Sequence, residues 1–308
     1  MKKIIILLLS VFLFFSCAWN NSVNEKGVKI ENDKIKISAS IVPIASIVNY
    51  IWWDFVDVQS IVPAWVSPHN FDLKSNQVVD IENSNLIIWI WLEHIDWFLQ
   101  NIIWNKDNLI LSSWIDLINW IDDDEQHNEE ELQKENQYQK DPHIWLGIKN
   151  TKFIASKIKD KLVSLKPEKK DIFVKNYNNF VLELDKLIQW FQNDIALKKQ
   201  KEFIVFHDAY NYLFNDLNID NEKKLVFKPS VLSDLSSNDM KKLQDKIKLL
   251  NIKTVFKEPQ FNDSNLQKFA EEFDLKILIL DPIWQDISKD WYINNLKINL
   301  NNLKSIYE

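Results

Sequence analysis

The stretch Ile61-Val62-Pro63-Ala64-Trp65-Val66-Ser67-Pro68-His69-Asn70-Phe71-Asp72 leaves a β-rich run, residues 56–62, and enters a loop bracketed by two prolines. Pro63 and Pro68 fix φ and restrict the residues before them. A loop stiffened in this way aims its one histidine. A neutral imidazole on a rigid support makes a good ligand for a borderline metal ion. Taken alone, His69 would read as an ordinary solvated or hydrogen-bonded loop residue. Three further stretches change that reading: Asp141-Pro142-His143, Phe206-His207-Asp208 and Leu280-Asp281-Pro282.

Around the first stretch the pattern alternates. Residues 36–42, 56–62, 86–90 and 109–111 read as strands, and 44–51, 76–83 and 93–103 as helices. Such alternation at short spacing predicts a mostly parallel sheet with helices on its faces. Residues 148–165 are helical. Pro167, suited to a first turn, then opens an amphipathic pattern that runs to about residue 199. Ile172, Phe173, Tyr177, Phe180, Val181, Leu184, Leu187 and Ile188 fall at helical spacing in it. A helix of about 30 residues is roughly 45 Å long, enough for a stiff spine between two domains. A second alternation follows, with strands at 203–206, 225–227, 254–256 and 276–280 and helices at 237–251, 265–273 and 293–307. The predicted fold class is α/β: two lobes with mainly parallel sheets flanked by helices, joined by one long rigid helix. The expected boundaries are 35–166 for the first lobe, 167–200 for the linking helix and 201–308 for the second lobe.

A chain of 308 residues can build two modest cores. Its net charge of −7 argues against nucleic acid as a partner and agrees with the handling of cations. All 37 basic residues are lysine. The segment 122–140 is almost devoid of apolar residues and reads as a solvated acidic loop. It contains His127, whose single imidazole is weak support for a metal-gathering role. His94 lies at the entry to a predicted helix and reads as packed or exposed.

Glycine and tryptophan are anomalous. The chain has 2 Gly and 14 Trp, whereas average glycine usage of about 7% would give roughly 20. A globular chain with this many turns needs residues at φ > 0. Several tryptophans stand where glycine would: Trp52-Trp53 at a helix end, Trp65 between two prolines, and Trp89, Trp91 and Trp284 beside predicted strand ends. We read these six as UGA codons of a genome that decodes them as glycine. Trp145 and Trp97 read as genuine.

The N-terminus carries Lys2-Lys3, an apolar run from Ile4 to Phe15, then Ser16-Cys17. This is the pattern of a secretory signal, and the apolar run is short for a bilayer span. Cys17 is the only cysteine, so no disulfide framework is expected. A cysteine directly after an apolar run and a small residue resembles a bacterial lipobox, with Phe14 at the usual Leu position. Residues 1–17 are thus expected to be a signal peptide with lipidation at Cys17, and 18–34 a flexible tether to the membrane.

His143, His207 and Asp281 fall in loops or at the C-terminal ends of predicted strands, as His69 does soon after one. Ligands of open α/β sheets gather at those ends. Two of the four candidates come from each side of the long helix, which puts the site between the lobes. Three imidazoles and one carboxylate suit Zn²⁺ well and Mn²⁺ or Fe²⁺ acceptably. Catalytic zinc sites keep an open position beside three protein ligands. Here four protein donors are available and no H-E-x-x-H motif is present, so a binding protein is expected and not a secreted zinc hydrolase. Glu258, which precedes Pro259, reads as a structural or surface carboxylate.

Four motifs in order resemble those of the zinc and manganese receptors of bacterial ABC transporters, the ZnuA/TroA-like family. They are Pro63-Ala-Trp-Val-Ser-Pro-His69, Asp141-Pro-His-Ile-Trp-Leu146, His207-Asp-Ala-Tyr210 and Asp281-Pro-Ile-Trp284. The resemblance covers residue 35 to the end. It differs in having Trp where the family has Gly, Gly147 where an Asp is usual, and an acidic loop without many histidines. It implies two α/β lobes joined by a rigid helix with the metal buried between them. It implies His69, His143, His207 and Asp281 as ligands, Zn²⁺ as cargo with Mn²⁺ as the alternative, and an ABC permease as partner. It further implies an extracytoplasmic, lipid-anchored monomer without enzymatic activity. A surface adhesin is the alternative role.

Overall fold

The computed structural model describes residues 34–52, 54–92, 95–103, 105–120, 139–228, 236–261 and 264–308. Cys17, the signal and tether segments, Trp53, His94, Trp104 and nearly all of the acidic run with His127 lie outside the described residues.

The first lobe is built on β1 (Ile35–Ala39), α1 (Val42–Trp52), β2 (Val56–Ser60), α2 (Ser75–Glu82), β3 (Leu86–Trp89) and β4 (Asn108–Ile110). Its four strands lie in the order β2-β1-β3-β4, all parallel, with Ile37 opposite Val58 and Leu86. The central strand β3 reads Leu-Ile-Ile-Trp and is buried on both faces, as a parallel strand covered by helices must be. Helix α1 starts two residues before the expected Ile44, because Pro43 is accommodated in its first turn, where no N–H is needed. A short antiparallel pair, β5 (Asn119–Trp120) with β6 (Gln139–Lys140), closes this part of the chain.

The segment 93–103, expected as a helix, is a 3-10 turn over Trp97–Asn101 where it is described. The wholly buried Asp96 explains the difference. Its carboxylate accepts from the backbone N–H of Ile90 at 2.6 Å and of Trp91 at 2.9 Å, tying the segment to the end of β3. Burial raises the Asp96 pKa to about 6 against the pull of these hydrogen bonds. Ile95, Leu99 and Ile103 still face inward, so the apolar spacing that suggested a helix is satisfied by a tighter turn.

Helix α3 (Ile148–Leu165) forms as expected. The predicted long helix is a 3-10 turn over Pro167–Lys169 followed by α4 (Lys170–Ile195), 26 residues or roughly 39 Å. It ends where the apolar spacing ends, since Leu197 is fully exposed. Phe173, Phe180, Leu184 and Phe191 form its buried stripe. Phe180 meets Tyr50 of α1 at 4.8 Å and Tyr292 at 5.5 Å.

The second lobe comprises β7 (Phe203–Val205), α5 (Asn211–Leu217), β8 (Lys224–Val226), α6 (Ser237–Leu250), β9 (Thr254–Lys257), α7 (Ser264–Glu272), β10 (Lys276–Ile279) and α8 (Trp291–Leu303). Its parallel sheet has the order β10-β9-β7-β8. Each sheet therefore has its first strand between its second and third. Helix α4 packs against α1, α3 and α8, and one continuous apolar core runs from Ile37 to Ile306 through these helices. Two smaller cores lie on the outer faces of the sheets, one around Phe227 and Phe269 and one around Ile87 and Leu99.

Candidate metal centre

Three of the four candidate ligands stand just beyond a strand, and His69 lies further along the loop that follows β2. His69 lies in the 3-10 turn Pro68–Asn70, and Pro68 at its start fixes the entry angle. His143 precedes the 3-10 turn Ile144–Leu146. His207 lies two residues beyond β7, and Asp281 two residues beyond β10. Glu258 directly follows β9. The C-terminal ends of three neighbouring strands of one parallel sheet thus supply His207, Glu258 and Asp281, where such sheets hold their ligands.

The three imidazoles converge through one nitrogen each. Nε2 of His143 lies 3.1 Å from Nε2 of His69 and 3.2 Å from Nε2 of His207. The three candidate donor atoms lie within 4.8 Å of one another. Zinc–nitrogen bonds of about 2.0–2.1 Å in a tetrahedron place the nitrogens about 3.3 Å apart. The two separations from His143 are close to that spacing. His143 and His207 are buried and His69 is partly exposed. The rings line a cavity of about 10 Å³ together with Ser67, Pro68, Glu258, Gln260, Phe261, Pro282 and Ile283. That is the room of about one water-sized sphere.

Behind the rings stand two buried carboxylates. Nδ1 of His143 donates to Asp141 Oδ1 at 2.8 Å, and Nδ1 of His207 donates to Glu258 Oε1. These acceptors hold the proton on Nδ1 and leave the lone pair on Nε2, the arrangement in which a carboxylate orients a metal-ligating histidine. Lone pairs facing each other at 3.1–3.2 Å repel unless a cation lies between them. Burial pushes Asp141 up to about 7, opposed by hydrogen bonds from the His143 backbone and Asn211 and by the charge of Lys224. Burial likewise raises Glu258, whose Oε2 has no hydrogen-bond partner. Burial first, then the neighbouring His207, holds the His143 pKa well below the usual value. This ring is therefore neutral and available as a ligand at neutral pH.

Asp281, the fourth candidate, is buried in the adjoining loop, and its carboxylate does not join the three-histidine group. Its Oδ1 accepts from Gln260 Nε2 at 2.7 Å and from the backbone N–H of Ile283 and Trp284 at 3.1 Å. Its Oδ2 has a single long contact, 3.4 Å to Gln285 Nε2.

The sequence leaves Glu258 as a structural or surface carboxylate; the structure buries it against His207. Its position right after a buried strand, matching that of His207, is the signal that could have located it. Gln260 gives no such signal. Gly147, unexpected at its place after the second motif, is required by close approach. A Cβ there would lie 2.7 Å from Cβ of Tyr212, whose hydroxyl donates to the Asp141 carbonyl at 3.0 Å.

Two parallel-sheet lobes, a long helix and a buried cluster of imidazoles at the strand ends are the features of metal-binding solute receptors. The chain belongs to the ZnuA family, described as "Zinc-uptake complex component A periplasmic", which it matches over residues 37–306. The zinc-binding lipoprotein AdcA of Streptococcus pneumoniae is 23% identical over 317 residues, taking in 99% of this chain and 61% of AdcA. The chain thus spans about 61% of the length of that relative. The manganese ABC transporter substrate-binding lipoprotein PsaA of Streptococcus pneumoniae is 24% identical over 321 residues, 98% of both chains. A crystal structure of ZnuA matches with a TM-score of 0.76 at 25% identity, covering 90% of this chain and 100% of that one.

The carboxylates give a first prediction. Asp141→Asn keeps the shape but replaces an anionic acceptor with an amide. Zinc affinity is expected to fall about 10–100-fold, the usual effect of losing an outer partner of a ligand. Isothermal titration of the variant against the parent chain measures it. An unchanged affinity would show that Asp141 does not support His143.

Proposed function

We propose that this chain captures a divalent transition metal, zinc first and manganese next, and delivers it to an ABC permease. The observation that carries the reading is the convergence of three imidazoles, with the His143 Nε2 3.1–3.2 Å from the Nε2 of each of the other two and a buried carboxylate behind two of the rings. His69, His143 and His207 are the proposed ligands. Asp281 is the fourth, through Oδ2, the oxygen its loop leaves nearly unbound. The metal is cargo. Four protein donors would fill the coordination of the ion and leave no open position for a catalytic water, which favours a binding protein over a hydrolase.

The names of AdcA and PsaA pair a metal with a lipoprotein, and PsaA's adds an ABC transporter. Those relatives support an extracytoplasmic, lipid-anchored placement through Cys17, with residues 1–17 as leader and 18–34 as tether. In this reading residues 35–166 and 201–308 form the two lobes, residues 167–200 the helix between them, and the receptor works as a monomer.

Elemental analysis of the chain purified without added metal, followed by competitive titration with Zn²⁺, Mn²⁺ and Fe²⁺, tests the proposal. One equivalent of tightly held zinc, displaced by manganese only in large excess, is the expected result. Binding of none of the three ions would end it. Tight manganese with weak zinc would keep the receptor role and overturn the zinc assignment.

A further inference from the structure

Among the described residues, six non-glycine positions have left-handed backbone: Trp65 (φ 68°), Trp91 (φ 59°), Asn218 (φ 56°), Asn251 (φ 50°), Asp274 (φ 53°) and Trp284 (φ 70°). They fall into two chemical groups. Asn218 and Asn251 cap the C-termini of α5 and α6, and Asp274 follows α7. Asn and Asp are the side chains that tolerate this region, because they bond locally to the backbone. The remaining three are all tryptophan, a bulky residue for which positive φ is an outlier. No described glycine has positive φ. Gly147 sits at φ −70° and serves close packing instead.

The three indoles differ in what they return for the conformation: the Trp284 ring packs in the core against Tyr292 at 5.3 Å, and among the described rings that of Trp91 meets only Trp89, at 6.0 Å. Trp65 and Trp91 hold their rings about half exposed, at 52% and 49%. Trp284 is fully buried, yet its Nε1–H has no hydrogen-bond partner. The backbone at these positions, by contrast, is in use. Val66 N–H donates to the Pro63 carbonyl at 3.3 Å, which makes Trp65 the third residue of a turn, where a type II turn takes glycine. The Trp91 N–H is bound by Asp96, and the Trp284 N–H by Asp281. Trp145 shows what an indole does when the site calls for one. It is fully buried and donates Nε1–H to the Pro282 carbonyl at 2.7 Å. Trp52 and Trp89 lie on ordinary helix and strand backbone.

We propose that positions 65, 91 and 284 are glycine in the protein its own cell makes, their codons being UGA decoded as glycine. Of the six positions that composition and turn chemistry singled out, these three are assigned by backbone geometry. Two of them set site loops: position 65 lies four residues before His69, and position 284 three residues after Asp281. The inference does not depend on the metal reading, because it rests on backbone angles alone.

Two measurements test it. The codons at 65, 91 and 284 should be UGA, with UGG at 145; UGG at the three positions would overturn the proposal. The full chain should then be made with Trp65→Gly and Trp91→Gly together, and in parallel with Ala at the same two positions; Trp284 is kept, because emptying its buried core site would add a cavity cost to the backbone gain. Each left-handed bulky residue disfavours the fold by roughly tenfold in the unfolding equilibrium. The double Gly chain should therefore show a higher denaturant midpoint than the Trp chain and a lower unfolding constant, by about a hundredfold on that basis. The Ala chain removes the rings but keeps a Cβ at positive φ, so it should recover less than the Gly chain. Equal midpoints for the Trp and Gly chains, or an Ala chain as stable as the Gly chain, would overturn the backbone argument.

Discussion

Replacing His143 with alanine is expected to abolish tight zinc binding, with a loss larger than the roughly 10–100-fold that removal of an outer partner causes. His143 is the hub of the cluster, since its Nε2 is the atom that both other Nε2 atoms approach. Removing it opens a tetrahedral site to water and leaves the Asp141 carboxylate without its Nδ1–H donor. His69→Ala and His207→Ala should be nearly as damaging. The His207 variant should be the worse of the two for the fold, because it strands the buried Glu258. His127→Ala and His94→Ala should leave affinity unchanged. Zinc titration of the five variants, with circular dichroism as a check on folding, decides the matter. A loss for His127→Ala equal to that for His143→Ala would break the ligand assignment.

The parts of this molecule that were legible in its sequence are those that local physics decides. Parallel strands covered on both faces read as apolar runs, and β1, β3, β7 and β9 stand where those runs stand. Helix α3 could be read to the residue from its spacing. Prolines at 63, 68 and 142 announced rigid loops, and those loops carry two of the three clustered histidines. The histidine cluster itself was legible because three of the chain's five histidines stand in loops at or after predicted strands, inside motifs that resemble those of one family. What could not be read were the places where a long-range contact overrides a local pattern. The 93–103 segment is apolar at helical spacing, but a buried Asp96 bonds to the end of β3 and holds it as a turn. Glu258 looks like a surface carboxylate until His207, 51 residues away in sequence, is seen against it. The direction in which Asp281 turns its carboxylate depends on Gln260 and on the backbone of its own loop, and no spacing in the chain encodes that. The left-handed positions were half legible. Composition and turn chemistry pointed to six tryptophan positions, and backbone angles single out three of them.

Acidification from pH 7.5 to pH 5 is expected to weaken zinc binding by a hundredfold or more. The ligand atoms must be unprotonated, so protons compete with the metal at each ring. Below its pKa, about 6.5 for an ordinary histidine, each imidazole costs about tenfold per pH unit. His143 yields last, because burial and then the neighbouring His207 hold it well below that value. The carboxylates add to the loss in the same direction. Asp141, raised to about 7 by burial, takes up a proton as pH falls through neutrality, and its grip on the Nδ1–H of His143 weakens. The fold follows a different course. Asp141 and Asp96, at about 7 and about 6, bind protons more readily in the folded chain than in the unfolded one, where the ordinary value is 3.8. Their contribution to stability therefore rises as pH falls through that window. The depressed His143 works the other way, since the unfolded chain takes the proton first. With Asp141, Asp96 and the likewise raised Glu258 favouring the fold and His143 opposing it, metal release should precede unfolding. Zinc affinity and circular dichroism measured together across this range test the order of events. An affinity that stays flat to pH 5 would rule out a three-histidine site, and a loss of affinity that tracks a loss of structure would assign the effect to unfolding.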